Sequence, residues 1–284
     1  MFNWIVQIPI NHAKIFAIMI TTNSLLQTLQ EKHYIQVPFL MKRAFLEEAI
    51  QSFFNFLNEP DEVKDHINFS ISPEHRRGDI GFKHRDPNDH IYNDSKDFFH
   101  FHPAIFEQYA SFLNEHPAVN DFVLKANIIW QLAYDVTKTL LQTLDHEFPG
   151  TSEKVFKSQN DHFILRFLKY HWQKSDEYLA KPHFDAGSFT LAIAESSPGL
   201  RIGSTPDNMQ LISHKDEHAI FMLSGNFKKL IDTDTLFPGW HDVIQLDSTQ
   251  IGKPFARWAI VAFIDGHGVS APPRSETHKW AISS

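Results

Sequence analysis

A chain of 284 residues, 42% hydrophobic and 21% charged, can bury a sizeable core and is too apolar to be a disordered protein. Its formal net charge is −8 and its basic residues are scattered, so no phosphate-backbone surface and no nucleic-acid partner is expected. The absence of cysteine excludes disulfides, thiolate ligands and a cysteine nucleophile, and leaves His, Asp and Glu as the only metal ligands.

The first 22 residues are moderately apolar, densest over Ile15-Phe-Ala-Ile-Met-Ile20. They have no small-residue cleavage site of signal-peptide form and read as an N-terminal extension, with Met19 a second possible start. No apolar run reaches the roughly 18–20 residues needed to span a bilayer, so no membrane partner is expected. A cysteine-free chain fits a reducing compartment, and a cytoplasmic protein is expected. Asn23 to Lys32 is a short helix candidate, so residues 1–34 read as the extension and a first helix. Phe39 to Asn58 is a stronger one, with apolar residues from Phe39 to Leu57 at three-to-four spacing and a stop before Pro60. Residues 59–104 are polar, rich in His, Asp and Asn, and without periodicity; they read as a long loop, and such loops are often lids. Ala118 to Phe148 is the longest helical pattern, closed by Pro149-Gly150. Residues 35–150 therefore read as a helical region carrying a long polar loop.

After about residue 160 the pattern changes to that of strands. The candidates are Phe163–Tyr170, Ser188–Ala194, Leu200–Gly203, Met209–His214, Ala219–Leu223, His241–Leu246 and Trp258–Ile264. Turn residues separate them, which points to a sandwich or barrel over residues 151–284. The fold class expected is α+β with a mainly β core, in one integrated unit. No obligate protein partner is evident.

The chain holds 18 His, and three His-x-Asp triplets occur: His84-Arg-Asp86, His183-Phe-Asp185 and His214-Lys-Asp216. The first runs into a turn signal. The third lies in a charged stretch that reads as a solvated hairpin tip. Only His183-Phe-Asp185 leads into an apolar, β-rich run. Strand side chains alternate faces, so His183 and Asp185 can point into a barrel while Phe184 packs outside. With a distal histidine such as His241, two imidazoles and one carboxylate could bind a metal on one side and leave the other side open, the arrangement of non-haem Fe(II) oxygenases.

Four blocks in order resemble the isopenicillin N synthase-like family of 2-oxoglutarate- and Fe(II)-dependent dioxygenases. They are Arg77-Gly-Asp-Ile-Gly-Phe82 with Asp94-Ser-Lys-Asp-Phe-Phe-His100; Leu165-Arg-Phe-Leu-Lys-Tyr170; His183-Phe-Asp-Ala-Gly-Ser-Phe-Thr-Leu-Ala-Ile with Ser-Pro-Gly-Leu-Arg-Ile202; and Gly239-Trp-His241-Asp-Val243. The resemblance covers most of the chain after about residue 35. It implies a double-stranded β-helix, or jelly roll, with N-terminal and flanking helices. It implies His183, Asp185 and His241 as iron ligands and catalytic centre. It also implies 2-oxoglutarate as cosubstrate, O2 as oxidant and a small-molecule substrate that is hydroxylated or desaturated. Arg257 matches the arginine that holds the far carboxylate of the cosubstrate, and Tyr170 matches a tyrosine that contacts it. The family's Arg-x-Ser is here Arg257-Trp-Ala259, so the serine hydroxyl is missing. Read from the residues alone, Arg257 could instead pair with Asp242 or Asp247 at the surface, and Tyr170 could be a core aromatic. An oxidase of the same fold that does not use 2-oxoglutarate, and a catalytically silent jelly-roll binder, are the alternative functions.

Overall fold

The switch in hydrophobic period from helical to strand-like is carried into the architecture as helices packed outside a two-sheet barrel. The computed structural model describes residues 21–71, 79–85, 94–157, 161–172, 178–246 and 254–270. Residues 1–20, most of the 22 expected as an extension, lie outside the described residues, as does part of the expected polar loop.

In chain order the elements are α1 (Thr22–Lys32), β1 (Ile35–Pro38), α2 (Arg43–Leu57), α3 (Asp61–Lys64), β2 (Asn68–Ser70), β3 (Asp79–Arg85) and β4 (Lys96–Phe101). There follow α4 (Ile105–Gln108), α5 (Ala110–Glu115), α6 (Pro117–Leu144) and α7 (Thr151–Val155). The β-rich half comprises β5 (Phe163–Tyr170), β6 (Tyr178–His183), β7 (Phe189–Glu195), β8 (Leu200–Gly203), β9 (Met209–Leu211), β10 (His218–Leu223), β11 (Trp240–Ile244) and β12 (Arg257–Ile264). An eight-stranded sheet has the order β1-β10-β7-β12-β5-β4-β3-β2, and a four-stranded sheet the order β6-β11-β8-β9. Every pairing is antiparallel. The two sheets face each other as a jelly roll.

The large sheet is apolar on both faces, which explains why β7 is buried at every position instead of alternating with polar residues. Its outer residues Phe163, Leu165, Phe167, Phe189, Leu191 and Ile193 join the helices in one core. Its inner residues Leu168, Tyr170, Ala192, Ile220 and Met222 meet Leu179, Leu200, Ile202 and Val243 of the small sheet in a second core. Between helices and sheet, Phe122 of α6 lies 5.0–5.5 Å, ring centre to ring centre, from Phe53, Phe56, Phe99 and Phe167. Proline opens α6 at the position where its missing N–H costs nothing, and buried Val119, Phe122, Val123, Ala126, Ile129 and Ala133 form its inner stripe.

Two expectations need correction. Residues 59–104 are not a continuous loop: β2, β3 and β4 extend the large sheet by three strands, and α3 precedes them. Strand β4 escaped detection because Lys96, Asp97 and His100 break its apolar run, although Lys96 and His100 are buried. The β6 strand was also not anticipated; its Lys-Pro-His end masks the pattern. With β1 paired to β10, the first half of the chain is thus built into the sheet that carries the second half. Among the described residues no helix is long and apolar enough to cross a membrane.

Candidate active site

His183 is the last residue of β6, and His241 stands opposite it in register on β11. Alternation along one strand was expected to put Asp185 on the same face as His183, but the strand ends at His183. Asp185 lies in the connection between β6 and β7, which brings it across to the two imidazoles. Phe184 turns away and packs edge-on against Trp240 at 4.8 Å. His183 Nε2 is 3.7 Å from Asp185 Oδ1, and His241 Nε2 is 3.6 Å from Asp185 Oδ2. The two rings are 4.4 Å apart between centres. All three ligand-capable atoms fall within 4.8 Å of one another.

The orientation of each group is fixed from behind. His183 Nδ1 donates to the Lys181 carbonyl at 2.7 Å, and His241 Nδ1 donates to the Gly239 carbonyl at 2.9 Å. Each ring therefore presents the lone pair of Nε2 to the centre, the tautomer that a metal requires. Thr190 Oγ1 donates to Asp185 Oδ2 at 2.8 Å, and the Ser224 hydroxyl lies 2.8 Å from Thr190 Oγ1. Burial, followed by the neighbouring His183, pushes His241 down to about 4, so it is held neutral at physiological pH. Two imidazoles and one carboxylate on one side of a cavity are a fitting donor set for a divalent iron-type ion.

The cavity runs from this triad between the sheets and is lined also by Tyr170, Lys96, Arg166 and Arg257. Arg257 opens β12, opposite Tyr170 in register, and is 3% exposed. It does not pair with Asp242, which instead takes both guanidinium contacts of Arg201 at 2.8 and 2.5 Å; Asp247 lies outside the described residues. Arg257 is bound to buried Glu195 at the end of β7, and its Nε donates to the Ser197 carbonyl at 3.1 Å. Glu195 is the cross-strand partner of Ala259. Where Arg-x-Ser would put a hydroxyl, this chain has a methyl beside a carboxylate. The guanidinium thus already holds a carboxylate, that of Glu195. Gly199 of the Ser-Pro-Gly-Leu block is required here: a Cβ would come within 2.5 Å of the Ile244 carbonyl oxygen and 3.6 Å of Arg257 Nε.

Tyr170 is buried, and burial raises its hydroxyl to about 12, so it stays protonated. Lys96 Nζ sits 5.2 Å over its ring and is ion-paired with Asp94, which Arg85 also contacts at 2.6 Å. Burial lowers Lys96 to about 7. Burial would raise the Asp94 carboxyl, but Lys96 and Arg85 beside it hold it well below the carboxylate range. Arg166 Nε donates to His100 Nε2 at 2.7 Å, and its guanidinium stacks between Phe98 and Phe263.

Glu195, Lys96 and Arg166 were not singled out from the sequence. The usable signal was a charged residue inside or at the end of a strand that is otherwise apolar on both faces. Thr190 and Ser224 gave no signal. His214, expected at a solvated tip, does sit in the β9–β10 turn but points inward. Its side chain is 14% exposed, with Nδ1 4.0 Å from Glu195.

No known family model and no curated protein matches the chain. Solved structures do. A full-length Neurospora crassa protein in complex with alpha-KG is 18% identical, covers 91% of this chain and 84% of its own, and has a TM-score of 0.59. The Arabidopsis thaliana dioxygenase for auxin oxidation, as a 2-oxoglutarate complex, is 16% identical over 92% of this chain and 95% of its own, TM-score 0.58. A Caulobacter crescentus protein assigned to the 2OG-Fe(II) oxygenase family is 16% identical over 86% and 81%, TM-score 0.60. At these identities the likeness is one of fold: the chain has the jelly-roll fold of the 2-oxoglutarate–Fe(II) oxygenases.

Proposed function

We propose that this protein is a non-haem Fe(II)- and 2-oxoglutarate-dependent dioxygenase that oxidises a small organic molecule. The observation that carries the reading is the convergence of His183 Nε2, His241 Nε2 and the Asp185 carboxylate at one end of the inter-sheet cavity, in this fold. The two histidines and the aspartate would hold the iron, which when bound supplies O2 activation coupled to oxidative decarboxylation of the cosubstrate.

The chain's own residues do the rest. The Lys181 and Gly239 carbonyls hold both imidazoles in the binding tautomer, and Thr190 fixes the rotation of the Asp185 carboxylate. Arg257 would take the far carboxylate of 2-oxoglutarate in exchange for Glu195, with Tyr170 bounding the same part of the cavity. Leu168, Ala192, Leu200 and Met222 give the same cavity apolar walls beside the triad. The Neurospora crassa protein has also been solved with thymine, and the Arabidopsis thaliana protein is named for auxin; both are small organic molecules, which supports a small-molecule substrate for this chain.

A second reading is favoured by one pair of residues. Arg257 is already paired with Glu195 and Ala259 replaces the serine, so the place of a cosubstrate carboxylate is taken, which suits an oxidase of this fold that does not use 2-oxoglutarate. The deciding experiment measures succinate from 2-oxoglutarate with Fe(II)-loaded protein, alone and with a panel of small molecules. Succinate that disappears in Asp185→Ala supports the first reading. Bound Fe(II) without succinate or cosubstrate binding supports the second, and absence of Fe(II) binding overturns both.

A further inference from the structure

We propose that His84, Asp97 and His171 form a second divalent-metal site, on the helix-facing side of the large sheet. The three residues come from three adjacent strands. His84 on β3 is the register partner of Asp97 on β4, and His171 follows the last residue of β5. Along β4, Lys96, Phe98 and His100 turn towards the inter-sheet cavity, while Asp97 shares its side with Phe99 and Phe101, which pack against the helices. The cluster is therefore separate from the His183–Asp185–His241 centre, and the proposal does not rest on how that centre is read.

The Asp97 carboxylate stands between the two rings. His84 Nδ1 is 2.6 Å from Oδ1, and His171 Nε2 is 3.3 Å from Oδ2. One ligand atom from each residue can be chosen so that all three lie within 4.8 Å. His171 Nε2 is buried and makes no hydrogen bond, because its approach to Oδ2 is off the N–H line. His84 Nδ1 is hydrogen-bonded to the same carboxylate, so an ion would replace the proton between His84 and Asp97 and take up the unbonded Nε2 of His171 on the other side. The side chain of Asp97 is 14% exposed and that of His171 28%, whereas His84 is 52% exposed and has room to draw back to the wider spacing of coordinated ligands. Two imidazoles and one carboxylate suit a borderline-soft divalent ion, zinc first, and not calcium or magnesium, which favour oxygen ligands. The remaining coordination position opens on a surface groove bordered by Phe82 and Asp65, where water can enter. An ion here would tie β3, β4 and β5 together, one residue along from the rung that carries Lys96 and Tyr170.

The test uses the full chain with the first centre removed by His183→Ala and His241→Ala. Zinc titrated into this protein should bind at one ion per chain. Adding His84→Ala and His171→Ala should weaken that binding at least 100-fold, and Asp97→Asn at least tenfold. Zinc that still binds one-to-one in the fourfold variant, or does not bind the twofold variant at tens of micromolar, overturns the proposal. A second measurement needs no substitution: deuterium labelling at the histidine C2–H positions of the unaltered protein, which slows when either ring nitrogen is coordinated, mapped by mass spectrometry with and without zinc. Protection of both His84 and His171 supports the site, and unchanged labelling of the two overturns it even if the variants fail to fold.

Discussion

Glu195→Gln removes the carboxylate that Arg257 holds and leaves the shape of the pair almost unchanged. Both residues are buried, Arg257 at 3% and Glu195 at 8% exposure, so little solvent screens them. A hydrogen bond to a charged group contributes about 1.5–3 kcal/mol and a neutral one about 1 kcal/mol. The amide therefore gives up about 0.5–2 kcal/mol that an incoming carboxylate otherwise has to displace. At 1.4 kcal/mol per decade, 2-oxoglutarate should bind about 2- to 30-fold more tightly to Glu195→Gln than to the unaltered protein. Arg257→Ala should move affinity the other way by about 2–5 kcal/mol, or roughly 30-fold to several thousand-fold, and Arg257→Lys should recover only part because an ammonium lacks the planar fork. The Glu195→Gln protein should also lose about 0.5–2 kcal/mol of stability without ligand, because the guanidinium keeps a hydrogen bond but loses its buried counter-charge, and bound 2-oxoglutarate should offset that loss. The assay is anaerobic titration of Fe(II)-loaded protein with 2-oxoglutarate, followed by the visible metal-to-ligand charge-transfer band and by thermal unfolding. Equal affinity in Glu195→Gln, Arg257→Ala and the unaltered protein would refute Arg257 as the anchor. Weaker binding in Glu195→Gln would show that Glu195 assists the ligand and does not compete with it.

His183→Ala, Asp185→Ala and His241→Ala should each abolish tight Fe(II) binding at the first centre, measured as metal retained per chain in proteins that also carry His84→Ala and His171→Ala. Thr190→Val should leave the iron stoichiometry intact but weaken its affinity about 10- to 100-fold, since it frees the Asp185 carboxylate to rotate; competition with a chelator reads this directly. Asp94 is a carboxyl whose folded value is depressed, so its contribution to stability is present above its unfolded value near 4 and is lost as pH falls through the depressed one. Asp94→Asn should consequently destabilise the protein at pH 7, and the gap to the unaltered protein should shrink in urea melts as pH is lowered below about 4. Phe122→Ala empties the centre of the helix–sheet core and should cost about 3–5 kcal/mol in the same assay, with iron stoichiometry unchanged in whatever fraction remains folded.

Much of this was legible beforehand, for identifiable reasons. The β5 and β8 strands match their expected limits residue for residue, because hydrophobic runs bounded by turn residues mark both ends. The β2, β3 and β4 strands were not legible. Their charged residues find partners only in three dimensions, Lys96 with Asp94 and His84 with Asp97, and a linear pattern treats such residues as solvated. The His183, Asp185 and His241 cluster could be named from local context, but not the way it assembles: Asp185 arrives from a connection and not from a shared strand face. Glu195 could have been flagged as a charge ending an apolar strand, but its partner could not. A carboxylate at a strand end says nothing of the arginine 62 residues later that it will meet.

The large sheet ends on its shortest members, β1 of four residues and β2 of three. An open sheet offers unpaired amides and carbonyls along both borders, and a long flat border invites another chain to add itself as the next strand. Among the described residues, a would-be partner finds borders only four and three residues long, and one of them closes with Pro38, which has no N–H to offer. The shortness of the outermost strands thereby limits how far the widest sheet could serve as a template for self-assembly.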